Sequence, residues 1–157
     1  MTASLPGATR PAAAIPAPAR PVFAGLAVGD VVATQDVAIT RDTLVRYAGA
    51  SGDFNPIHYN DAFATSVGLP GVIAHGMFTM GAAASVVESW AGPGNVVDFQ
   101  ARFTRPIAVP NPGEAVATVT CAIGALDADA RTARVDVTVE FEGQKVLGKA
   151  QAVVACA

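Results

Sequence analysis

A chain of 157 residues accommodates one domain and leaves little room for a second core. Hydrophobic residues make up 52% and charged residues 15%, which excludes a disordered protein. The net charge of −3 offers no basic field for a phosphate backbone, so no nucleic-acid partner is expected. Cys121 and Cys156 stand far apart, outside any C-x-x-C pattern, and the chain has only two histidines. Neither a disulfide framework nor a metal site is expected; Cys121 reads as a core residue and Cys156 as part of the C-terminal tail.

Residues 1–21 alternate alanine with proline, which breaks the apolar helix a secretory signal requires. A disordered or polyproline-like tail on a cytoplasmic protein is expected there, with one domain over residues 22–157. Val28 to Ile39 reads as an extended segment. Thr40 offers an N-cap for a helix from Arg41 to about Ala50. Gly52 and Pro56 break that helix, and a second short one is expected between Asn60 and Gly68. From Ala74 to about Trp90 the chain is apolar nearly all round and predicts one long buried helix. No apolar run reaches the roughly 20 residues of a membrane span, so no membrane partner is expected.

Beyond Gly92-Pro93-Gly94 the period changes to two. Val135, Val137, Val139 and Phe141 alternate with Arg134, Asp136, Thr138 and Glu140; Ala115 to Ile123 and Val146 to Val154 behave similarly. Gly143-Gln144 suits a type II′ hairpin with glycine first. The order of elements predicts an α+β domain, a curved antiparallel sheet wrapped around a long central helix.

The stretch Asp53-Phe54-Asn55-Pro56-Ile57-His58 carries the chemistry. A carboxylate and an imidazole five positions apart share no face of a regular helix, and Pro56 prevents one. A turn through Asn55-Pro56 folds both side chains toward one point, where they can exchange protons with a water. The same residues also suit an ordinary Asx-turn beside a structural histidine.

The run from Tyr47 to His58, followed by Ala74-His75-Gly76-Met77, resembles the MaoC-like (R)-specific enoyl-thioester hydratase family. It is similar in particular to catalytic subunits of (3R)-hydroxyacyl-ACP dehydratases. Weaker support comes from Phe103-Thr104-Arg105-Pro106, and the resemblance extends from about residue 25 to the C-terminus.

That resemblance implies a single hot-dog fold and a hydro-lyase adding water to a 2-enoyl thioester carried by CoA or ACP. It places the catalytic acid–base pair on Asp53 and His58, an orienting role on Asn55, and an oxyanion-binding backbone N–H on Gly76. His75, Met77, Tyr47 and Arg105 are carried as candidate substrate contacts, His75 more readily as a loop-orienting residue. It further implies no cofactor, and a homodimer or a heterodimer with a related subunit. A non-catalytic acyl-binding protein is the rival reading.

Overall fold

In the computed structural model, residues 19–157 are described; the expected Pro/Ala tail falls outside them up to residue 18. The start of the domain is stitched to its end. Phe23 N–H donates to Ala157 O at 3.1 Å, and Ala157 N–H donates to Pro21 O at 2.9 Å.

Strand β1 covers Val31–Ile39. It begins three residues later than the sequence suggests because the Asp30 carboxylate accepts the Ala27 N–H at 2.8 Å and closes a turn first. Helix α1, Arg41–Ser51, opens on a capping box in which the Thr40 and Thr43 side chains each accept the other's backbone N–H. It closes on Gly52 in the left-handed region, φ 76°. A single 3-10 turn at Pro56–His58 leads into α2, Asp61–Ser66, capped by Asn60. Helix α3 spans Gly76–Ala91.

The remaining strands are β2 (Val96–Phe103), β3 (Ala115–Asp127), β4 (Thr132–Phe141), the short β5 (Gln144–Lys145) and β6 (Leu147–Ala155). They form one curved antiparallel sheet in the order β1-β3-β4-β6-β2, with β5 attached to β4. Helix α3 packs on the inner face of all five long strands. This is the α+β hot-dog architecture that the sequence predicts.

Alternation builds the core: Val119, Cys121 and Ile123 of β3 and Val135, Val137 and Val139 of β4 face α3. Ile123 is 1% exposed amid this cluster. Ile123→Ala is expected to lower the unfolding free energy by about 2–5 kcal/mol, measured by chemical denaturation.

Four expectations need correction. Helix α3 is not buried all round: Met77, Gly81, Ser85 and Glu88 form an exposed stripe. The stripe is hard to see in sequence because glycine and alanine carry little hydrophobic signal on either face. The hairpin after β4 turns on Glu142-Gly143, both with positive φ (50° and 72°), and pairs Phe141 with Gln144. That is type I′ geometry, one residue earlier than expected. Alternation also breaks in β6, where Leu147 and Ala150 both point inward because Lys149, at φ 49°, adds a residue to the strand. Cys156 is no loose tail residue; its N–H donates to Arg131 O at 2.9 Å and the residue is buried.

Candidate active site

The site is assembled on the segment between α1 and α3. After Gly52, the Asp53 N–H donates to Ser51 Oγ at 3.2 Å, and Asp53 Oδ1 accepts the Asn55 N–H at 3.2 Å. Asn55 Oδ1 in turn accepts the Ile57 N–H at 3.2 Å and caps the Pro56–His58 turn. These consecutive Asx-turns replace the helical period and bring the two side chains round to each other. His58 Nε2 lies 3.9 Å from Asp53 Oδ2. The gap exceeds a direct hydrogen bond and suits one bridging water.

The environments of the pair differ. The Asp53 side chain is half exposed, whereas His58 is 7% exposed. His58 Nδ1 lies 2.8 Å from Ile73 O, and a carbonyl only accepts, so the proton of neutral His58 sits on Nδ1. Nε2 is left unprotonated and facing Asp53.

Ile73 is itself held on two sides. Its N–H donates to Ile57 O at 3.1 Å, and it bridges Ala108. Its neighbours are anchored too, since Val109 N–H donates to Val72 O and Ala74 N–H to Ile107 O, both at 2.9 Å. Arg41 adds a brace, bonding both Asp61 oxygens (3.0 and 2.7 Å) and Val109 O (2.7 Å). The Arg41 guanidinium also holds the Asp61 carboxyl below the usual carboxylate range. His58 is thereby fixed relative to Gly76, three residues beyond Ile73.

A cavity of about 450 Å³ opens beside His58. Gly76, at the first position of α3, lines it together with Ile73, Thr79, Phe103, Arg105 and Leu147. A helix start presents N–H groups without intrahelical acceptors and the positive end of the helix dipole. A Cβ at Gly76 would sit 3.2 Å from the Phe103 ring, so glycine also permits the close approach of helix and sheet.

The other candidates are placed unevenly. Asn55 belongs to the turn, not to the cavity wall. Arg105 is exposed at the cavity rim. Three of the expected contacts lie away from the cavity wall, His75 in keeping with the loop-orienting role also expected of it. His75 is 1% exposed and lies beneath His58, ring centroids 3.8 Å apart. Tyr47 packs against His75 at 4.8 Å and Phe78 at 5.6 Å instead of lining the cavity. Met77 is 57% exposed on the outer stripe of α3, because one residue past the helix start points about 100° away from Gly76. Sequence reasoning missed Thr79, Ile57 and Leu69 as lining residues; apolar side chains that line a cavity look like any others that fill a core.

A family model described as "MaoC like domain" matches residues 23–144. The chain belongs to the MaoC-like family. Its relatives include 3-hydroxyacyl-thioester dehydratase X of Mycobacterium tuberculosis, 43% identical over 72 residues, or 46% of this chain and 25% of that one. Fatty acid synthase subunit beta of Saccharomyces cerevisiae is 46% identical over 52 residues, 33% of this chain and 2% of that one. The match thus spans a quarter or less of these relatives' length. A solved MaoC-like dehydratase superimposes with a TM-score of 0.86 at 38% identity, covering 90% of this chain and 44% of the other. R-hydratase PhaJ1 from Pseudomonas aeruginosa, in its unliganded form, does so with a TM-score of 0.75 at 25% identity, covering 87% and 86%.

Two further properties of this MaoC-like site follow from its burial. Asp53, His58 and His75 hold one potential ligand atom each within 4.8 Å of one another. Backbone carbonyls already occupy His58 Nδ1 and His75 Nε2, so a cation would have to reach His75 through its buried Nδ1. Burial also pushes the His75 imidazole below its ordinary 6.5, more than the Asp53 carbonyl draws it up, and the neighbouring His58 adds to the lowering. The unfolded chain therefore binds this proton first as pH falls. The His75 contribution to stability is expected to be intact above pH 6.5 and to decline below it. Thermal unfolding followed from pH 7 downward should fall less steeply in a His75→Phe variant.

Proposed function

We propose that this MaoC-like chain interconverts trans-2-enoyl and (3R)-3-hydroxyacyl thioesters, carried on CoA or an acyl carrier protein. The observation that carries the reading is the 3.9 Å approach of His58 Nε2 to Asp53 Oδ2, beside a cavity that Gly76 lines at the start of α3. In hydration, the oxygen of one water forms a bond to C3 while one of its O–H bonds breaks. The pair takes up that proton and delivers another to C2, and both additions occur on the face turned toward the pair. Negative charge develops on the thioester oxygen, which the Gly76 N–H and the helix start stabilise. Dehydration reverses each step. The names of the mycobacterial dehydratase and of the Pseudomonas R-hydratase describe the same chemistry in both directions.

The apolar cavity suits an acyl chain, and Arg105 at its rim suits a phosphate of the carrier. Exposed apolar residues adjoin the pair along the chain: Phe54 follows Asp53, and Tyr59 follows His58. Strand β2, a sheet edge, exposes Val97 and Phe103. Such a surface calls for a second hot-dog subunit, identical or related. A cytoplasmic location fits such substrates.

The test is the absorbance of crotonyl-CoA incubated with the purified chain. Hydration by this chain alone supports a self-sufficient hydratase. Activity appearing only with a second subunit supports the catalytic half of a heterodimer. Binding of acyl thioesters without turnover under either condition refutes the catalytic reading.

A further inference from the structure

We propose that His75 is a positioning residue that holds both members of the pair from beneath, through a hydrogen bond to the Asp53 backbone and a ring stack under His58. This rests on the catalytic reading of Asp53 and His58 given above.

His75 occupies the N-cap position of α3, where serine, threonine, asparagine or aspartate would ordinarily bond the first turn, yet its side chain makes no capping bond. It is directed instead back across the loop. Nε2 lies 3.1 Å from Asp53 O, and because that oxygen only accepts, His75 carries its proton on Nε2. Among the described residues no protein group bonds its Nδ1. A residue present only to fill space would not bring a buried nitrogen to this position; leucine would fill it without one. The ring has a second use. It lies against the His58 ring at 3.8 Å with 23° between planes, and Tyr47 packs on it at 4.8 Å. The stack sets the plane of the His58 imidazole, while Ile73 O sets its rotation. Together they direct Nε2 toward Asp53.

The titratable groups facing His75 are Asp53, His58 and Tyr47. A neutral ring in this position accommodates a positive charge on His58 during turnover, whereas a charged one would repel it. Burial favours the neutral form.

The two contacts can be removed separately. Glutamine reaches the Nε2 position and keeps an N–H donor without the ring; phenylalanine keeps the flat ring without the donor; leucine keeps neither. For the purified chain on crotonyl-CoA, kcat is expected to fall about 10- to 100-fold in His75→Leu, with KM within about threefold of wild type. His75→Gln and His75→Phe should each recover part of that loss. A second readout is independent of activity. The chain has two histidines, so selective ¹⁵N-histidine NMR reports these two rings and nothing else. Wild type should show His58 as the Nδ1–H tautomer, and His75→Leu and His75→Gln, which lose the ring stack, should show His58 as a tautomer mixture.

Wild-type kcat in all three variants, or a rise in KM with kcat unchanged, would overturn the proposal. So would an unaltered His58 tautomer in every variant. If wild type turns over no thioester either alone or with a second subunit, the catalytic reading fails, and the NMR comparison still decides the positioning role.

Discussion

Asp53→Asn and His58→Asn are each expected to lower crotonyl-CoA turnover by about 100- to 10,000-fold, the range for removing a positioned acid or base, while the chain still unfolds cooperatively. Both substitutions are chosen to spare the loop. Asparagine at 53 can still accept the Asn55 N–H through its side-chain oxygen, so the first Asx-turn survives. Asparagine at 58 puts an amide N–H near the position of Nδ1, preserving the bond to Ile73 O while deleting the nitrogen that faces Asp53. On the proposed mechanism, what disappears in either case is proton exchange with a water held between the pair. Because the proposed mechanism has both groups acting on one water, the double variant should be scarcely worse than either single one. Steady-state kinetics beside circular dichroism decides the matter. Turnover within about threefold of wild type in either variant, with the fold intact, would remove the pair from the mechanism.

The second large effect concerns Gly76. A backbone donor cannot be deleted by truncating a side chain, but proline at this position removes the N–H. The first position of a helix is where proline is best tolerated, since its N–H has no intrahelical acceptor there. His75 already has φ −61° and ψ 130°, the extended conformation a following proline demands. Gly76→Pro is therefore expected to keep the fold and to cost about 100- to 1,000-fold in kcat, the effect of losing one oxyanion donor. Gly76→Ala separates the steric contribution: its Cβ meets the Phe103 ring at 3.2 Å but its N–H remains. Alanine should cost far less than proline, and a smaller residue at Phe103 should relieve what it does cost. Equal losses in the two variants would mean that close packing, not the N–H, is what Gly76 supplies. Stopped-flow hydration of crotonyl-CoA, with thermal unfolding as the control, distinguishes these outcomes.

Local signals made most of the architecture legible before any coordinates. Thr40 and Gly52 bound α1 because capping and left-handed closure are decided within four residues. Period-two alternation marked β3 and β4 because each strand has one wet and one dry face. The Asp-x-Asn-Pro-x-His spacing was readable as a candidate pair because proline rules out the helix that would part its ends. What the sequence could not reveal was which faces meet. The exposed stripe of α3, the left-handed Lys149 and the Glu142-Gly143 turn all depend on how the sheet twists round the helix, a property of the assembled layers. The tertiary structure alone decided that His75 lies beneath His58 and that Met77 turns outward. Consecutive residues at the start of a helix diverge by about 100°, and only the packing of α3 against the sheet determines which direction is inward.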